Sequence, residues 1–131
     1  MNTKLDKILA EISAGELVDK ITILEIKKSR IQNEEKLDEI AKELTSLKLT
    51  FDKFIRGKNK IKNLVGELKN INLKLWDIED GKRLAEKNND FGESFILLAR
   101  NVYKFNDKRA KIKFLINETL GSNIKEVKSY E

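Results

Sequence analysis

The chain has 131 residues, 37% of them charged and 40% hydrophobic, with no cysteine, histidine or proline and a net charge of +5. Without Cys there is no disulfide, thiolate nucleophile or thiolate zinc site, and without His the commonest general base and transition-metal ligand are both missing. Any chemistry would rest on carboxylates, Lys, Arg, Tyr, Ser or Thr, with Mg2+ as the metal best suited to that palette and no cofactor otherwise indicated.

This composition suits long helices in one domain over residues 1–131, large enough to bury its own core. No apolar run approaches the roughly 18 residues of a membrane span, and the first residues lack the hydrophobic core of a signal peptide. The expected location is cytoplasmic.

Residues 3–12 place Leu5, Ile8, Leu9 and Ile12 on one side of a short helix. Ser13 then reads as an N-cap with Glu16 as its capping-box partner, opening a helix over 14–32. Leu17, Ile21, Leu24 and Ile31 line one face of it, and Val18, Ile23 and Ile26 carry apolar surface further round. A helix apolar over so much of its circumference is contacted on more than one side, inside the bundle or under a partner.

Asn33 caps a helix over 34–56 with the heptad series Leu37, Ile40, Leu44, Leu47, Phe51 and Phe54. The phase slips at Gly57, the expected stop, and Asn59 is the expected cap of the next helix, over 59–87. Its coiled-coil-like series is Ile61, Leu64, Leu68, Ile71, Leu75 and Ile78, and it continues through Gly81. Asn88, Asn89 and Asp90 turn the chain into the last helix, over 91–120, with Asp90 as cap, Glu93 as its capping-box partner and Gly121 as the left-handed stop. Its stripe is Phe91, Phe95, Leu98, Val102, Phe105, Ile112, Ile116 and Leu120. The tail, 121–131, keeps Ile124, Val127 and Tyr130, enough to dock loosely. Together these elements predict an all-α, antiparallel up-and-down bundle of four main helices with a short N-terminal helix.

Several stretches resemble a family of small bacterial proteins classed as a domain of unknown function. They are Gly15-Glu16-Leu17-Val18-Asp19-Lys20-Ile21-Thr22-Ile23-Leu24-Glu25-Ile26-Lys27, then Leu75-Trp76-Asp77-Ile78-Glu79-Asp80, and the run of Phe91, Gly92, Phe95, Arg100, Tyr103, Asn106, Asp107, Arg109, Lys113, Asn117, Gly121 and Ser122. The likeness covers nearly the whole chain from Gly15 onward. It implies no activity, and it implies a short extended segment ahead of the Gly-Glu-Leu motif, where the periodicity reads helix.

The sharpest polar feature is the stripe Asn106, Arg109, Lys113 and Asn117, whose spacing puts all four on one helix face. Arg109 falls where the apolar pattern calls for a hydrophobe, so its guanidinium needs a carboxylate or a bound anion. One reading is a site for a phosphate- or carboxylate-bearing ligand at Arg109 and Lys113; the other is a structural ion pair with a neighbouring helix. Glu25 lies among apolar residues, as a third member of such a site, a partner for Arg109 or a helix-edge ion pair. The acidic pairs Glu16 with Asp19 and Asp77 with Asp80 have a spacing that could hold Mg2+ from facing helices, although such spacings are common in a chain this rich in acids.

Trp76 and Tyr103 fall off the apolar faces and suit boundary packing or an interface. Lys53, Arg56, Lys58, Lys60 and Lys62 surround the turn at Gly57 with no acid among them, while Glu34, Glu35, Asp38, Glu39, Glu86, Asp90 and Glu93 collect at the opposite end. The basic tip could meet an anionic partner; few aromatics and no helix-turn-helix signature argue against nucleic acid. The two functional expectations are a non-enzymatic module acting through protein contact, as a homodimer or with another protein, and a small-molecule binding protein or enzyme with an Arg/Lys/carboxylate site.

Overall fold

The computed structural model describes residues 4–128 and contains four α-helices, α1 (Ala14–Arg30), α2 (Glu34–Phe54), α3 (Lys62–Lys87) and α4 (Glu93–Leu120), with one 3-10 turn at Lys58–Lys60. Thr3 and Tyr130 lie outside the described residues. Among the described residues there is no strand, and no helix is long and apolar enough to cross a membrane.

The helices alternate in direction, and α1 is the one packed along all three others. Its N-terminal end lies beside the C-terminal half of α4, where the Gly15 amide donates to Asn117, and its last residue, Arg30, pairs with Asp77 of α3 at 3.2 Å. The apolar breadth of residues 17–31 is thereby accounted for from inside the molecule. One side of α1 gives Val18 to a core with Ile61, Leu68, Ile112 and Ile116; another gives Leu24 to a second cluster with Ile40 and Leu44 of α2. Thus the heptad face of α2 seats chiefly on α1, while α3 and α4 form the most extensive helix pair.

The N-terminal helix expected over 3–12 does not form: residues 4–12 carry no regular secondary structure, and Leu5, Ile8 and Leu9 are 78%, 82% and 88% exposed. A helix of that length is marginal unless its apolar side is buried, and here it has nothing to pack against. The remaining differences lie at helix ends. Ser13 and Asn33 cap α1 and α2 as the sequence predicts, accepting from the amides of Glu16 and Lys36. The Glu16 side chain, however, does not close the box; it turns to α4. Asn59 is inside the 3-10 turn and does not cap α3, which begins at Lys62 behind fully buried Ile61. Asp90 spends its carboxylate on the Gly92 amide at 3.3 Å, and α4 starts at Glu93 without a side-chain cap. Gly57 and Gly121 do take left-handed conformations, at φ 73° and 64°.

Gly66 offers a simple check of the helix register. It lies inside α3, and a methyl group added there meets no other atom within 4 Å. Gly66→Ala is therefore expected to stabilise the protein by about 0.5–1 kcal/mol through helix propensity alone, read as a higher urea midpoint.

Candidate functional site

The polar stripe of α4 meets the first turns of α1, and the local sequence explains how they come so close. Gly15 has no side chain to hold the helices apart: a Cβ there would lie 2.4 Å from the Lys113 carbonyl oxygen. The free amides of the first turn of a helix need acceptors from outside it. Gly15 N donates to Asn117 Oδ1 (2.6 Å), Ala14 N to Ser122 Oγ (3.0 Å), and Glu16 N to Ser13 Oγ (3.0 Å).

One turn further, Asp19 is completely buried. Its carboxylate accepts from Arg109 through both oxygens, from Nε at 2.9 Å and from Nη2, and from Asn72 Nδ2 of α3 at 2.9 Å. The same Asn72 nitrogen donates to Thr22 Oγ1 at 2.9 Å, and that hydroxyl donates back to the Asp19 carbonyl at 2.8 Å. Lys113, itself buried, bonds Glu16 Oε2 at 2.5 Å and lies 3.5 Å from Glu126 of the tail, which also accepts from Ser13 Oγ. Among the described residues every buried side-chain nitrogen and oxygen has a partner.

The electrostatics follow from this closure. Hydrogen bonds from Arg109 to Asp19 hold the guanidinium above its ordinary pKa; burial opposes them, and the charges of Asp19, Glu16 and Glu126 add to them. Three carboxylates thus meet Arg109, Lys113 and, at the exposed edge, Lys20, so the cluster offers an incoming anion no positive excess.

Of the residues singled out in the sequence, Arg109, Lys113, Asn117 and Asn106 do come together, the last accepting from Arg109 Nη1 at 3.3 Å. Glu25 stands apart, at the helix edge between Lys48 of α2 (3.6 Å) and Lys69 of α3 (3.5 Å). The acidic pairs are not brought together: Glu16 and Asp19 face α4, whereas Asp77 pairs with Arg30 and Asp80 is exposed. Among the described residues no group of three or more acidic side chains is arranged to hold a metal ion. Trp76 is half-buried on α3 and Tyr103 is exposed on α4.

Asn72, Thr22, Ser122 and Glu126 belong to the network and were not among the sequence candidates. Asn72 had a signal of the same kind as Arg109, a polar residue four positions after Leu68 on an apolar face. Glu126 had none, because nothing in the tail's sequence fixes where it docks.

Beside the network a cleft of ≈ 690 Å³ opens between α4 and the tail, lined by Ala110, Phe114, Leu115 and Val127, with Lys113 and Glu126 on its network side. No curated protein and no solved structure matches the chain. The sequence does match a family, described as a family of unknown function (DUF6165), over residues 8–131, and the chain belongs to that family.

Proposed function

We propose, for a member of a family to which no activity is attached, a non-enzymatic role exercised through protein contact, first of all with a second copy of the chain. The observation that carries this reading is the far end of the α3–α4 hairpin. Arg30 ends α1 about level with Asp77, and Gly81 packs on Leu98, so the hairpin runs on past the helix that covers the rest of it. On that extension Leu84, Phe91, Ile96 and Leu97 are all exposed, next to the edge-to-face pair of Phe91 and Phe95. An apolar group of this kind at the end of a helical hairpin is a contact surface rather than a solvated one.

The polar cluster supports the same reading. A ligand-binding Arg109 would have to be free to meet a phosphate or carboxylate from outside, whereas its Nε and Nη2 bond Asp19.

Light scattering coupled to gel filtration tests the proposal. The wild type is expected to run at twice the 15.2 kDa chain mass at micromolar concentration. Ile96→Glu with Leu97→Glu is expected to give the monomer mass while circular dichroism stays helical, with an affinity loss of at least tenfold. A wild type that is monomeric throughout, or a double variant that still pairs, overturns self-association through this surface.

A further inference from the structure

Lys53, Arg56, Lys58, Lys60 and Lys62 lie within ten residues that contain no acid. With Asp52 just ahead of them, residues 52–62 carry five cations and one carboxylate, a local net charge of +4 in a chain whose total is +5. All five side chains are exposed. Lys58 has a carboxylate partner, Asp52 of α2, at 2.6 Å.

The turn is a built surface. Gly57, in the left-handed conformation, reverses the chain; buried Ile61 and half-buried Ile55 clamp the two sides; and the 3-10 turn Lys58–Lys60 presents its residues outward. At the end of α2, among these cations, Phe54 is 65% exposed, with Lys53 Nζ 5.2 Å from its ring centre.

We propose that this turn docks on an anionic lipid bilayer, with the cations on the headgroups and Phe54 entering the interface between headgroups and acyl chains. Each Lys or Arg held near an anionic leaflet is attracted by its surface potential, and an aromatic side chain among them adds apolar burial. A single-stranded nucleic acid fits less well. Its bases need successive open rings to stack on, whereas Phe54 is the one exposed aromatic here, its ring is faced by Lys53, and neighbouring Phe51 is half-buried under Lys58.

Co-sedimentation of the full chain with vesicles tests this, using phosphatidylcholine alone and phosphatidylcholine with phosphatidylglycerol at seven to three. The wild type is expected to bind only the anionic vesicles, and less as salt rises. Lys60→Gln with Lys62→Gln, both exposed and unable to disturb the core, is expected to lower the partition coefficient roughly 30-fold. Phe54→Ser, with its charge unchanged, is expected to lower it roughly tenfold. Absence of binding to anionic vesicles overturns the proposal, as does either variant binding like the wild type. Binding of a labelled single-stranded oligonucleotide without vesicle binding overturns it in favour of a nucleic-acid surface.

Discussion

Asp19→Ala is expected to lower the free energy of unfolding by about 3–5 kcal/mol, a large share of the roughly 5–15 kcal/mol that holds a domain of ordinary stability. The reason is what the substitution leaves behind. Arg109 would lose the carboxylate that its Nε and Nη2 both reach, and the Asn72 amide would lose one of its two acceptors in a buried position. Lys113, 3.9 Å from the same carboxylate, would keep Glu16 and Glu126. Urea denaturation followed by circular dichroism measures the effect. A loss under about 1 kcal/mol would mean that the pair contributes no more than an exposed ion pair.

Gly15→Ala is the second large effect, and local propensity alone gives it the wrong sign. Inside a helix alanine is favoured over glycine by about 1 kcal/mol. At this position, however, the new methyl would lie 2.4 Å from the Lys113 carbonyl oxygen and 2.9 Å from Asn117 Oδ1. The nearest of these atoms is helix backbone, so it cannot swing aside. α1 must move off α4 and stretch the bonds from Gly15 to Asn117 and from Ala14 to Ser122. A net loss of about 1–3 kcal/mol is expected, in contrast with the gain at Gly66. The two substitutions made side by side separate close helix contact from propensity. Equal gains at both sites would show that α1 and α4 do not approach as described.

The periodicity of the sequence carried the architecture because most of each apolar series is buried by another part of the same chain. Ile61, Leu64, Leu68, Ile71, Leu75 and Ile78 are all buried or half-buried. Where a pattern has no counter-surface, periodicity misleads: residues 4–12 have the spacing of an amphipathic helix and no helix to lie on. The same limit governs which helices meet. Heptads in α2 and α3 are equally regular, yet α2 spends its stripe on α1.

The polar cluster was legible by a different route. Arg109 interrupts an apolar stripe, and a guanidinium in that place demands a counter-charge, which the structure supplies as Asp19. The sequence could not choose between a protein carboxylate and a bound anion, because the choice depends on which acid α1 brings within reach. Nor could it show that Gly15 is there for closeness: a glycine two residues after an N-cap looks like loose capping until the neighbouring helix is in place. Seen together, Gly15, Glu16, Asp19, Arg109, Lys113, Asn117 and Ser122 are the parts of one fastening between α1 and α4.

That fastening is the centre of this account, and a double-mutant cycle on Asp19 and Arg109 tests it most directly. Unfolding free energies of the wild type, Asp19→Ala, Arg109→Ala and the double variant isolate the coupling between the two side chains. A coupling of about 2–3 kcal/mol is expected, with the double variant losing that much less than the sum of the two single losses. Losses that add to within about 0.5 kcal/mol would contradict the account, since Arg109 would then stand in the protein independently of Asp19.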